Sequence, residues 1–287
     1  MLAGRILRSL SGLAATAVVG GLCAATLVRL APGFDVDERE FDSRLNDASR
    51  HAIHESRSGE RNLGRFYVHY LAGIVRGDFG VSHSLRRPVR ELLAERSPVT
   101  LRLVAWGLAF GWTLGSGLAI AAWRIRAVDL LSGVLFAVLL SVPAAVLGLA
   151  VLFAGAGRSL AIGLVVLPKV FTYTRSLIAK ASASPHVVLA RAKGAGEVRI
   201  LAWHIGPALA PELFSLAGIS ISLAFGAAIP MEAVCDIPGL GQLAWQAALG
   251  RDLPVLVILS LLLTVITMLA NGVADTVTDR LGMESGA

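Results

Sequence analysis

PVLVILSLLLTVITMLANGVADTVT, residues 254–278, carries no ionisable side chain before Asp275. A helix needs about 20 such residues to cross the hydrocarbon core of a bilayer, so this stretch reads as a membrane span. Further apolar runs lie near residues 7–30, 100–122, 128–154, 159–180 and 211–232. Backbone polar groups facing lipid must be satisfied within the segment, which a helix does. The expected fold class is therefore an all-α membrane protein with about six transmembrane helices. Composition agrees, since 55% of the 287 residues are hydrophobic and 16% are charged, against about 25% charged in a soluble domain.

Charge sets the expected orientation. Of the 26 basic residues, only Lys169, Lys180 and Lys193 are lysines, and the formal net charge is +6. The arginines are spread along the chain with no basic face interleaved with aromatics, so a nucleic-acid partner is not expected. Arg5 and Arg8 precede the first run, Arg124 and Arg126 separate the second and third, and Lys180, Arg191, Lys193 and Arg199 separate the fourth and fifth. These clusters fall on one side, which makes both termini cytoplasmic. The loop at 31–99 holds eleven arginines and eleven acids on the other side, but loops longer than about 60 residues largely escape the positive-inside bias.

This divides the chain into a retained first helix (1–30), a periplasmic loop (31–99), a five-helix core (100–280) with a cytoplasmic loop (182–210), and a short tail (281–287). The amphipathic stretch 89–103 reads as an interfacial helix leading into the second span. Cys23 and Cys235 are too few for a metal cluster or a disulfide framework. Of the loop histidines, His51 and His54 come closest to ligand spacing, but no acid or cysteine completes a set, so no metal is expected.

Small residues recur every fourth position in the second run (Gly107, Gly111, Gly115) and in the fifth (Gly218, Ser222, Gly226). That spacing allows close approach of helix backbones, either within the chain or at a subunit seam. An ionisable group inside a span costs about 2.5–3.5 kcal/mol on insertion scales. Lys169 in the fourth run, Arg175 two turns on and Glu232 at the end of the fifth are therefore candidates for a solute pathway or a subunit interface. Arg175 and Asp275 could also snorkel to the interface. Pro168 frees a backbone carbonyl beside Lys169. No phosphate-binding loop exists, because the lysines are followed by Val, Ala and Gly. All six histidines fall outside the apolar runs, and no intramembrane acid pair occurs, so enzymatic chemistry is not expected.

PHVVLARAKGAGEVRILAWHIGPALAP, residues 185–211, is the most informative loop. Its first half, through Leu189, Ala190, Arg191, Ala192 and Lys193, suits a short helix ended by Gly194 and Gly196. Glu197 suits the start of the next helix, and Pro207 and Pro211 punctuate entry to the fifth span. Physically this is an amphipathic basic connector.

"ARAKG", followed ten residues later by His204 and then by Pro211, resembles the cytoplasmic EAA loop of binding-protein-dependent ABC importer permeases of the dipeptide, oligopeptide and nickel family. "VRLAPG" (28–33), "RGDFGVS" (76–82), "RPVRELLAERSPVTLRL" (87–103), "PGLGQL" (238–243) and "RDLP" (251–254) resemble other family segments in the same order. Asn271, Asp275, Asp279 and Arg280 resemble its ending.

The resemblance implies the type I ABC importer permease architecture in the bacterial inner membrane. Implied partners are a second similar permease, two ATPase subunits and a periplasmic solute-binding protein. ATP would be used by those partner subunits, with no cofactor bound by this chain. The loop would serve as a coupling helix, with Ala190 and Ala192 allowing close docking, Gly194 the bend, and Arg191 and Lys193 polar contacts. The implied solute is a peptide, with nickel or another small solute as the alternative. Val188, Leu189, Trp203 and Pro207 depart from the family pattern, and Lys169 is atypical of it. A self-contained secondary transporter and a non-transporting assembly subunit are the other readings, although no internal repeat of the kind common in secondary transporters is evident.

Overall fold

The computed structural model describes residues 77–285, together with the isolated positions Gly12, Val19, Thr26 and Gly73. The expected first span and most of the 31–99 loop lie outside the described residues. The described chain is built from helices: α1 (Val89–Arg124), α2 (Arg126–Leu140), α3 (Ala144–Phe153), α4 (Ser159–Ser182), α5 (Pro185–Ala192), α6 (Glu197–Ile200), a π-helical segment (Leu201–Ile205), α7 (Gly206–Val234), α8 (Leu240–Leu249) and α9 (Leu253–Ser285). Among the described residues, four continuous stretches are long and apolar enough to cross a membrane: Val89–Arg124, Ser159–Ser182, Glu197–Val234 and Leu253–Thr278.

Three boundaries differ from expectation. The third run is not a straight span: α2 and α3 meet at 107°. Pro143 lacks an N–H and disfavours helical geometry in the residue before it, so α2 stops at Leu140 and α3 restarts with Pro143 as its N-cap. At 15 residues, α2 is about 22 Å long, short of the ~30 Å core. The stretch 89–103 is not a separate interfacial helix but the opening of the 36-residue α1, with Pro98 inside it. Ser97 Oγ donates to the Leu93 carbonyl at 2.6 Å there, adding a bond one residue before the proline.

The helix that leads into the fifth span begins at Glu197 and runs on unbroken past 211. Pro207 cannot donate to the carbonyl four residues back, and its ring crowds that carbonyl. The helix widens ahead of it, with the Gly206 N–H reaching the Leu201 carbonyl in a π turn. A π-bulge lets a helix continue where a regular turn would clash.

The chain falls into two compact units, residues 1–97 with 243–265, and residues 98–242 with 266–287. In the first unit, Val81 bridges Pro88 in antiparallel fashion. Ser82 Oγ, Ser84 N and Ser84 Oγ all donate to Asp252 Oδ2, at 2.6, 3.0 and 2.8 Å. Asp252 is fully buried, so one carboxylate oxygen ties the turn at 82–84 to the turn that opens α9.

In the second unit, lipid removes most of the hydrophobic gain of helix association, leaving close packing to hold the helices. A Cβ on Gly107 would sit 2.5 Å from Ile162 Cβ; at Gly111 and Gly115 it would sit 3.1 Å from Val166 and Val170. These three glycines therefore seat α1 directly on α4. Gly218 receives α9 in the same way, with Asn271, Ala274 and Ala270 at 2.9–3.1 Å from the position of a Cβ. Ser222 accepts a bond from Asn271 Nδ2 at 3.3 Å, whereas Gly226 faces open space. Phe136 on α2 packs edge-on against Phe171 on α4, with centroids 4.7 Å apart.

Candidate functional site

The loop after α4 is a compact helical elbow. Ser184 in extended conformation and Pro185 at the first helical position start α5, where proline's missing N–H costs nothing. Gly194, at φ +77°, ends it. The Ala195 N–H bonds the Ala190 carbonyl at 3.1 Å, and the Gly194 N–H bonds the Arg191 carbonyl at 3.0 Å. This is the paired hydrogen bonding of a Schellman cap, whose left-handed position favours glycine. Across the turn, Arg191 Nε and Nη2 donate to the two oxygens of Glu197 at 3.1 and 3.3 Å.

The elbow has an inner and an outer face. Val187, Ala190, Ile200 and Ile205 are buried against Ile178 of α4 and Leu209 of α7. Ala190 therefore packs inward. Leu189, Arg191, Ala192, Lys193 and Gly194 are exposed, as are Val188, Val198 and Trp203. An open groove lined by Arg124, Gly194, Glu197, Arg199 and Trp203 adjoins this face. Trp203 keeps 78% of its surface and Val198 77%, so large apolar side chains stand exposed beside Arg124 and Arg199.

Of the ionisable candidates, the structure separates three environments. Glu232 is fully buried. Its Oε1 accepts from Thr100 Oγ1 at 2.7 Å and its Oε2 from the Gly241 N–H at 2.6 Å. Thr100 Oγ1 in turn accepts the Leu240 N–H at 2.8 Å. Gly239 and Gly241 have no room for a Cβ beside this carboxylate. Glu232 thus closes the "PGLGQL" turn over α1 and α7.

Arg175 Nη2 donates to Asp129 Oδ2 of α2 at 2.7 Å. Lys169 is exposed, and so are Thr172, Tyr173 and Ser176 at helical spacing below it. Residue types alone singled out Lys169 but not the hydroxyls; the i, i+3, i+4, i+7 spacing within the fourth run is the signal that could have found them. Thr100 and Asp252 were also not anticipated as turn-holding residues, because their partners are distant in sequence.

Among the described residues no group of His, Cys, Asp and Glu could hold a metal ion. Cys235 is buried, and burial pushes its thiol pKa up, with Arg158 opposing, so it is not an activated thiolate.

The described residues thus form a multi-span helical membrane protein with glycine-seated helices and a capped elbow between two spans. Residues 108–282 match the family described as "Binding-protein-dependent transport system inner membrane component". The chain belongs to this family, as an ABC importer permease of the peptide and nickel group located in the bacterial inner membrane. It is similar to the "Glutathione transport system permease protein GsiC" of Salmonella typhimurium, at 30% identity over 294 residues and 94% of each chain. It is likewise similar to the protein of that name in Escherichia coli K12, at 27% identity over 296 residues and 94% of each chain.

Proposed function

We propose that this chain forms half of a solute pathway for a small peptide, handed over by a periplasmic binding protein, and that α5 transmits the movement of two separate ATPase subunits to the spans. The observation that carries the reading is the two-faced elbow. Val187 and Ala190 anchor α5 to α4 and α7, while Leu189, Arg191 and Lys193 stay exposed for a partner. A short helix fixed to two spans moves with them, so nucleotide-dependent contacts on its outer face bias the spans between two states. The glutathione named in the relatives is itself a small peptide, which favours a peptide over a metal ion. Arg175 and Glu232 are held by partners within the chain, leaving Lys169 as the pathway candidate.

The test is assembly and uptake. With the second permease, ATPases and binding protein coexpressed in vesicles, Leu189→Asp is expected to abolish ATPase co-purification and ATP-driven uptake of radiolabelled glutathione while the permease stays folded. Retention of both by Leu189→Asp and Gly194→Asp would overturn the coupling role. Uptake by this chain alone under an ion gradient would favour a secondary transporter.

A further inference from the structure

The 24-residue α4 presents two unlike faces. Val166, Val170, Phe171, Thr174 and Ile178 are buried within the chain. On the other side Lys169, Thr172, Tyr173 and Ser176 are exposed in one stripe, since residues three and four apart on a helix are neighbours. Lys169 lies ten residues into the helix, about 15 Å along its axis, which is half of the ~30 Å hydrocarbon core. It makes no hydrogen bond or ion pair with the described residues, whereas Arg175 is neutralised by Asp129.

The exposed face of α2 has the opposite chemistry. On α2, Leu130, Leu131, Val134, Leu135 and Val138 keep 59–71% of their surface, which is the composition lipid requires. A lysine above three hydroxyls at mid-depth requires water or a polar ligand instead, because charge at the bilayer centre is tolerated on an interior or aqueous face.

We infer that this stripe is the wetted wall of the pathway and that Lys169 makes it selective for anionic, carboxylate-bearing solutes. The inference rests on the permease reading above. A cation held between low-dielectric walls focuses its field along the passage and concentrates negative ligands there. The hydroxyls of Thr172, Tyr173 and Ser176 supply donors that follow a carboxylate down the helix, and exposed Lys180 continues the positive side toward the α4 end.

The experiment uses the assembled transporter in membrane vesicles, with Thr172→Cys as reporter and the unsubstituted chain as background for Cys23 and Cys235. Two water-soluble methanethiosulfonates are compared, one carrying a sulfonate and one a trimethylammonium group. Both are expected to label Thr172→Cys, and neither to label Leu131→Cys. Adding Lys169→Gln is expected to lower the sulfonate-to-ammonium rate ratio about tenfold, as a unit charge about 6 Å away both attracts one reagent and repels the other. Lys169→Arg should preserve the ratio. Labelling with a ratio unchanged in Lys169→Gln would overturn anion selection and leave the pathway standing. Absence of labelling by either reagent, with or without ATP, would place the stripe against a protein partner and overturn both.

Discussion

At Glu232, two oxygens face two donors, Thr100 Oγ1 and the Gly241 N–H. Glutamine in its place would offer one acceptor oxygen, so either the Gly241 N–H or the Thr100 hydroxyl would lose its acceptor. Leaving a buried donor unsatisfied costs about 1–3 kcal/mol, so Glu232→Gln is expected to lower the thermal midpoint of the detergent-purified permease, and Thr100→Val to do the same. Because they share one network, the double variant should lose less than the sum of the singles; simple additivity in the melts would show that the two residues act separately. Gly194 makes a different demand. Its surroundings are open, so a side chain there meets no atom, and the cost is the φ of +77°. Alanine in the left-handed region costs about 1–2 kcal/mol, while asparagine tolerates it better. Gly194→Ala is therefore expected to increase protease cutting of the elbow more than Gly194→Asn does, and equal cutting would count against the cap. The glycine break was legible from Lys193-Gly194-Ala195-Gly196, but the Glu232 network was not. Its members, Thr100, Glu232 and residues 240–241, lie in three separate stretches that only the folded chain brings together.

Helix seams decide which small residues matter. Gly107, Gly111 and Gly115 have the same four-residue period as Gly218, Ser222 and Gly226, yet the last of the six faces open space. Periodicity identifies a helix face and is silent on what covers it. Gly107→Leu would drive a side chain into Ile162, and overpacking of this kind costs about 1–3 kcal/mol or more. It is expected to abolish the detergent-stable monomer peak in size-exclusion chromatography, whereas Gly226→Leu should retain it. The proline positions carry the same lesson. Pro98 and Pro168 sit inside continuous helices, Pro143 marks a 107° turn, and Pro207 follows a π segment. The missing N–H is common to all of them. What differs is whether neighbouring bonds and packing hold the helix together around the gap, and that depends on tertiary contacts.

Over the whole molecule, two kinds of exposed apolar residue must be told apart. The leucines and valines of α2 lie on a span-forming segment, while Val188, Leu189, Val198 and Trp203 lie on the elbow between spans. Leu131→Arg places a charge in lipid at about 2.5–3.5 kcal/mol, and is expected to reduce the yield of membrane-inserted protein severalfold, read by alkaline extraction. Val188→Asp should leave insertion unchanged and reduce ATPase co-purification; a loss of insertion instead would place the elbow in the bilayer. The class of this protein, its apolar runs and the position of its basic elbow follow from the sequence by itself, because span length and a glycine helix stop are local properties that hold whatever the rest of the chain does. The resemblance of "ARAKG" and its companion segments to the importer permeases is equally local in origin, and the family match over residues 108–282 agrees with it. Tertiary structure decided which ionisable groups are committed and which are free to act. Glu232 and Arg175 meet partners far along the chain, whereas Lys169 projects from the unpacked side of α4 above three hydroxyls. The energy of a buried or membrane charge depends on the groups within a few ångströms of it, and those neighbours exist only once the helices have packed.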